Sequence, residues 1–366
     1  MQIELICIGD ELLEGFTVNT NATACAKILG HKLTRVTTIA DNPKEIVESV
    51  KEALARSSLV ITSGGLGPTV DDLTQDVLTK AFGSPFTELK NHVGSAPGLH
   101  FAIENKILAA LPGVPLEFEE MLMRSVAPLV EKEKVVIEEV HFVMMNEREI
   151  DPKVREWMRE FPGLQFGIYP NLSGLTLRIK GEDAKILAKK VREEYPRRFF
   201  QEENICVALQ NEMIARKKKL VTAESCTGGN IAAKLTKIPG ASEYFQGGIV
   251  CYSNTFKESY LSVSPKILES QGAVSRETVI EMAKGALRYA DYSIAISGIA
   301  GPIGGSKDKP VGTVWAAIGE KNGKVLSGLI PMGHKKTRKA IIEKSSWFMI
   351  GALYIYITRG EDVLST

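Results

Sequence analysis

Residues 219–229 read Lys-Leu-Val-Thr-Ala-Glu-Ser-Cys-Thr-Gly-Gly, and this stretch decides the fold class. Lys219–Ala223 is a short run of apolar and β-branched residues, which predicts a strand. Gly228-Gly229 breaks it, and Ile231, Ala232 and Leu235 continue at helical spacing. A strand ending in a glycine turn that opens a helix is the building unit of a sheet covered by helices. The same grammar stands earlier in the chain. Leu59–Thr62 predicts a buried strand, Ser63-Gly64-Gly65-Leu66-Gly67-Pro68 a turn, and Thr69 with Asp72 three residues on a helix start. Val70, Leu73, Val77, Leu78 and Ala81 then form an apolar stripe.

Working outward, Ile3–Ile8 predicts a strand ending in Gly9-Asp10-Glu11. Pro43–Ser57 carries Ile46, Val47, Val50, Ala53 and Leu54 on one helical face. This alternation predicts a mostly parallel sheet. Residues 135–203 are richer in charge. They predict a strand at Val135–Val143, a helix at Asp151–Glu160, a strand pair around Gly174 and a helix at Asp183–Tyr195, which together make a small α+β module. Beyond it the alternation restarts. Strands are expected at Gly247–Tyr252, Tyr292–Ser297 and Gly312–Ile318, and a helix capped by Ser275 carries Val279, Met282, Ala283, Ala286 and Leu287.

At 366 residues the chain fits two or three domains. Forty-five Lys and Arg against forty-four Asp and Glu exclude a chain-wide basic footprint for nucleic acid, and no direct nucleic-acid binding is expected. The N-terminus lacks the basic region of a signal peptide. The apolar stretch Trp347–Ile357 is shorter than the ~20 residues of a membrane helix and reads as a buried terminal helix. The five cysteines form no CxxC pair, so zinc and a disulfide framework are not expected, and reduced thiols point to the cytoplasm.

Ser225 stands where a strand gives way to a helix start, whose free N–H groups can hold an oxyanion or a phosphate. A serine nucleophile needs a base. Of the five histidines only His334 lies in this last part, so a desolvated lysine is the alternative, and Lys257 follows Tyr252-Ser253-Asn254-Thr255-Phe256 at a strand exit. The competing reading makes Ser225 a helix cap. Cys226 is a second possible nucleophile, or an inert buried residue. Gly298–Gly305 and Gly64–Thr69 are glycine-rich loops able to approach a phosphate closely. Asp71 and Asp72, like Asp10 and Glu11, could hold a divalent metal or simply favour a helix dipole.

Several segments, taken in order, carry a resemblance. They are Ala223–Gly229, Gly248–Asn254 with Lys257, Gly272–Ser275, and Gly298–Pro302 leading to Lys309–Trp315. This set resembles the nicotinamide-nucleotide amidase domain of the CinA (competence/damage-inducible protein A) family. The first part is also similar to CinA, in that family's molybdopterin-binding-like domain, through Gly9–Leu13, Asn19–Ala22, Ser63–Thr69 with Asp71, Asp72 and Thr74, Gly94–Gly98 and Leu111–Gly113. The resemblance implies a molybdopterin-binding-like three-layer α/β domain over residues 1–134, a small α+β domain over 135–203 and an α/β amidase domain over 204–366.

It further implies hydrolysis of the carboxamide of nicotinamide mononucleotide to nicotinate mononucleotide and ammonia, a step of pyridine-nucleotide salvage that needs no cofactor. Ser225 would be the nucleophile and Lys257 the base, with Tyr252 and Asn254 lining the site. Helix-start amides around Thr227, Gly228 and Gly229 would form the oxyanion hole. The loop of Gly298, Ala300, Gly301, Gly304 and Gly305 would hold the ribose phosphate. For the first domain the family implies a metal-dependent ADP-ribose pyrophosphatase, with Asp10, Asp71 and Asp72 as candidate ligands. Four departures stand out: a short stretch between Thr74 and Gly94, Leu111-Pro-Gly-Val-Pro-Leu-Glu-Phe118 where a second Pro-Pro and a Ser-Glu are usual, Ile303 in place of a glycine, and Gly333-His334-Lys335 where Gly-Asp-Arg is usual. The first counts against the pyrophosphatase. The last leaves Lys335 or Arg338 as the phosphate contact. A non-enzymatic scaffold linked to competence or DNA damage is the remaining alternative, and a homodimer is expected.

Overall fold

The computed structural model describes residues 1–69, 72–83, 85–131, 135–332 and 337–365. They fall into two compact units, Met1–Lys134 and Val135–Thr366. The strands are β1 (Ile3–Ile8), β2 (Arg35–Ile39), β3 (Leu59–Ser63), β4 (Phe86–Leu89), β5 (Gly98–Ile103), β6 (Lys106–Leu111), β7 (Ile137–Val143), β8 (Gln165–Pro170), β9 (Gly174–Lys180), β10 (Phe199–Phe200), β11 (Leu220–Glu224), β12 (Phe245–Val250), β13 (Tyr292–Gly298), β14 (Val314–Glu320) and β15 (Val325–Leu329).

The first unit is a six-stranded sheet in the order β2-β1-β3-β6-β5-β4. β1 is buried along its whole length, as a strand covered on both faces must be. Ile3, Leu5 and Cys7 pack on one side with Cys25, Leu29 and Phe118. Ile6 and Ile8 pack on the other with Ile46, Val50 and Leu78. Two apolar layers flanking one sheet make the three-layer α/β architecture. The pairing is parallel from β2 to β6 and antiparallel through β5 and β4, so the sheet is mixed where alternation predicted mostly parallel.

The expected helix start at Thr69 is displaced. The helix spans Thr74–Phe82. The Asp72 carboxylate instead accepts from the Thr69 amide and hydroxyl, closing a local turn before the helix. Thr69 therefore donates rather than caps.

In the second unit, β10-β7-β9-β8 is fully antiparallel, with helices Glu147–Glu160 and Ala184–Glu194. This β-α-β-β-α-β order is the split βαβ, ferredoxin-like arrangement. The first of these helices starts four residues before the expected Asp151. Asn146 and Glu149 form a capping box, and Pro152 is accommodated near the helix start.

The third sheet, β12-β11-β13-β14-β15, is parallel across its first three strands and antiparallel across the last three. Leu220, Ile294 and Ile296 face one apolar layer, and Val221, Ala223 and Ala295 the other. The first layer also takes in Val143 and Phe200, which joins the ferredoxin-like sheet to this core within one unit. The terminal helix is Arg338–Arg359, 22 residues. It is long and apolar enough to cross a membrane by length and composition, but 67% of its apolar window is buried in the protein, with Met349, Ile350 and Leu353 in the core. The sequence reading saw only its apolar half.

Candidate active site

β11 and β12 lie side by side and parallel, so the segments leaving their C-terminal ends meet at one edge of the sheet, where open α/β sheets hold ligands. β11 ends in Glu224 and passes through Ser225–Gly229 into the helix Asn230–Thr236. Gly229, the residue before that helix, has φ of +93°, a left-handed conformation that glycine adopts without steric cost. β12 leads through Cys251 and Tyr252 to the helix Asn254–Leu261, which Ser253 caps by accepting from the Phe256 amide. Lys257 sits in the first turn of that helix and points inward.

Lys257 is fully buried. Its Nζ donates to the carbonyls of Cys251 (2.9 Å) and Tyr252 (3.2 Å) and lies 3.2 Å from Ser225 Oγ. No carboxylate is bonded to it. Burial therefore pushes the Lys257 pKa below its ordinary value, the charge of an uncompensated ammonium being costly away from water. A neutral amine has two N–H groups and one lone pair. Two carbonyls take the N–H groups, which leaves the lone pair for the Ser225 hydroxyl. A proton-accepting lysine against a serine hydroxyl is the geometry of an activated nucleophile.

Ser225 is buried, and its amide donates to Ile296 O on β13 (3.0 Å). The neighbouring Cys226 thiol is pushed up to about 12 by burial, which keeps it protonated at neutral pH and makes it a poor nucleophile. The Gly228 amide turns back to Ser225 O (3.1 Å) and the Asn230 amide to Thr227 O (3.1 Å). Among the described residues, the amides of Cys226, Thr227 and Gly229 have no oxygen acceptor, and the Cys226 amide reaches only its own thiol sulfur. The Thr227 hydroxyl oxygen is buried without a partner, and the residue is only 4% exposed.

The helix-start amides expected to make the oxyanion hole are partly spoken for. The Glu224 carboxylate accepts from Ile231 N (3.0 Å) and Ala232 N (2.9 Å). Sequence reading missed Glu224, although a carboxylate inside an otherwise apolar strand was a signal.

Tyr252 contributes its carbonyl to Lys257, while its ring is 60% exposed. Its hydroxyl accepts from Arg338 (3.1 Å), whose second nitrogen donates to Gly301 O (2.9 Å). Arg338 thus bridges the tyrosine and the glycine-rich loop. Gly298 ends β13, Ala300 is buried, and Gly304 with Gly305 lies on the exposed side of the loop, beside Ile303. Asn254 is exposed at its helix start, and no side-chain hydrogen bond holds it among the described residues. His334 and Lys335 lie outside the described residues.

The first unit holds a separate cleft of about 480 Å³, lined by the backbone of Gly64–Pro68 and by Glu11, Asp41, Asp72 and Glu117. Asp10 lies beside Asp41, whose carboxylate accepts from the Asp10 amide (3.0 Å). One Asp72 oxygen is engaged by Thr69. Burial pushes the Asp72 pKa up, but the hydrogen bonds from Thr69 and Gly67 outweigh it and the net shift is downward. Asp71 lies outside the described residues. Among those described, no group of three or more His, Cys, Asp or Glu could hold a metal ion.

Comparison with known proteins places this geometry in a family. Residues 202–354 match the model described as the CinA C-terminal domain, and residues 4–132 the one described as a probable molybdopterin binding domain. A CinA-like protein of Thermosipho melanesiensis is 33% identical over 357 residues, covering 85% of this chain and 88% of the relative.

The chain belongs to the CinA family.

A putative competence-damage inducible protein of Halothermothrix orenii is 31% identical over 415 aligned positions, covering 98% of each chain. Among solved structures, the competence/damage inducible protein CihA of Agrobacterium tumefaciens is 37% identical with a TM-score of 0.39, covering 42% of this chain and 96% of that one. Within the CinA C-terminal match lie Ser225, Lys257, Tyr252 and Arg338.

Proposed function

We propose that this CinA chain hydrolyses the carboxamide of nicotinamide mononucleotide to nicotinate mononucleotide and ammonia through a Ser225 acyl-enzyme. The observation that carries the reading is the buried Lys257 Nζ, 3.2 Å from Ser225 Oγ and without a carboxylate partner.

The neutral amine takes the Ser225 proton as Oγ attacks the carboxamide carbon. The oxyanion that forms is taken by the amides of Cys226 and Thr227, which no oxygen acceptor engages. As the tetrahedral intermediate collapses, the Lys257 ammonium returns its proton to the departing nitrogen and ammonia leaves. Water then enters and loses a proton to the same amine as its oxygen bonds to the acyl carbon. The bond from that carbon to Oγ breaks, the Lys257 ammonium returns the proton to Ser225 Oγ, and the product leaves as the carboxylate. Arg338 would take the substrate phosphate. The bonds that hold it, to Tyr252 Oη and Gly301 O, point its guanidinium toward the loop edge. The near-neutral surface suits such a substrate, because one phosphate needs one local cation.

Ser225→Ala is expected to abolish ammonia release from nicotinamide mononucleotide while the fold persists. Full activity in that variant would overturn the mechanism. Absence of ammonia release by the wild type would overturn the substrate.

A further inference from the structure

The turn that carries Ser225 contains a second buried ionisable side chain that the proposed chemistry does not consume. Glu224 is wholly inaccessible, yet its two oxygens accept from Ile231 N, Ala232 N and the Thr222 hydroxyl (3.1 Å). This is an internal anion seated on a helix start, where the dipole and free amides favour negative charge.

Its backbone does something different. The Glu224 carbonyl accepts from the Cys251 amide (2.9 Å). The Cys251 carbonyl in turn accepts from Lys257, and Lys257 meets Ser225, the residue after Glu224. A closed circuit thus runs from Glu224 to Cys251, to Lys257, to Ser225 and back along the chain. The side chain of Glu224 pins that circuit to the helix, and its backbone pins it to the base.

We propose that Glu224 is the positioning residue of this site. It holds Ser225 against Lys257 and occupies the amides of Ile231 and Ala232, so that the oxyanion is left to the amides of Cys226 and Thr227. This rests on the Ser225–Lys257 reading but not on the identity of the substrate. Three features support it. The carboxylate satisfies two amides that would otherwise receive an anion. It is buried where an unpaired charge would be prohibitive, so the hydrogen bonds are a condition of its presence. The Glu224 backbone is tied to Lys257 through the Cys251 amide and carbonyl, and Lys257 is tied to Ser225, the next residue in the chain.

The test uses the full chain and a fluorophosphonate probe. Such a probe bonds to an activated serine oxygen through phosphorus with loss of fluoride, and needs no knowledge of the substrate. The rate of labelling at Ser225, read by peptide mass across pH, reports both the nucleophile and the protonation of its base. Glu224→Gln keeps the shape but loses the charge and one acceptor. It is expected to label at least tenfold more slowly, with the midpoint of the pH profile unmoved, because Glu224 positions the serine and does not set the charge of Lys257. Glu224→Asp keeps the charge but cannot span both amides. It should also label slowly with an unmoved midpoint, whereas general loosening of the fold would let water reach Lys257 and move the midpoint up toward the ordinary lysine value. Should Glu224→Gln not fold, Thr222→Val removes one bond to the same carboxylate and is expected to slow labelling by a smaller factor.

A wild-type rate in Glu224→Gln would overturn the proposal, as would a midpoint moved up in either variant or an unlabelled Ser225 in the wild type. Labelling without ammonia release would sink only the substrate assignment and leave the role of Glu224 standing.

Discussion

At the residue scale the site is a problem of one buried cation. Lys257 has two carbonyls and a hydroxyl around it and no counter-ion, so folding favours the amine over the ammonium. The consequence for stability has a definite sign. The unfolded lysine titrates near ~10.4, and the folded one below that. Between the two values the unfolded chain binds a proton the folded chain does not, so stability rises with pH across that window and levels off above ~10.4. Lys257→Met removes the group and with it this dependence. Unfolding in urea at a series of pH values is expected to show the wild type gaining on the variant as pH climbs toward ~10.4. A constant difference would mean that the lysine is not depressed in the folded state.

Residue identity alone suggested Ser225 and Lys257, because serine at a strand–helix turn and the poor supply of histidine leave few partners. It did not reveal Glu224. Its carboxylate reads as a strand end until the positions of the Ile231 and Ala232 amides are known. Nor could it show that Arg338 bonds Tyr252. Arg338 reaches Tyr252 only because the terminal helix starts beside the glycine-rich loop, which is a matter of tertiary path and not of spacing.

At the scale of elements, two short helices set the geometry. One begins at Asn230 and is anchored by Glu224. The other begins at Asn254, is capped by Ser253, and brings Lys257 inward in its first turn. Ser253→Ala removes the acceptor for the Phe256 amide and is expected to cost about 1 kcal/mol, the usual loss for a helix cap. Because Lys257 rides on the same turn, Ser225 reactivity should fall with it. Denaturant melts paired with serine-probe labelling check this, and a stability loss with unchanged labelling would show that the cap does not position the base.

The pattern of apolar residues located most of these elements, including β1, β3, β7, β11 and β13. It misplaced the helix at Thr74 because Thr69-x-x-Asp72 satisfies a capping pattern and then forms a turn with the donors reversed. It also expected mostly parallel pairing. A buried strand reads the same in either direction, and only chain connection decides that β5, β14 and β15 run antiparallel.

At the scale of the molecule, residues 135–366 form one compact unit in which the ferredoxin-like sheet shares a core with the site-bearing sheet. The terminal helix records this. Gly351 has no side chain because a Cβ there would stand 2.7 Å from Val143 Cγ2. Gly351→Ala should therefore destabilise the full chain by roughly 1–3 kcal/mol through overpacking. In a chain beginning at residue 202, where Val143 is gone, the same change should stabilise by roughly 0.5–1 kcal/mol as an ordinary helix substitution. Thermal melts of the four proteins test the shared core, and the same sign in both backgrounds would contradict it.

The central claim is the catalytic pairing of Ser225 with Lys257 on a nucleotide carboxamide. Its most direct test is ammonia release from nicotinamide mononucleotide, followed for the wild type and Ser225→Ala side by side. The account predicts stoichiometric ammonia and nicotinate mononucleotide from the wild type and none above background from the variant. Equal release from both proteins would contradict it.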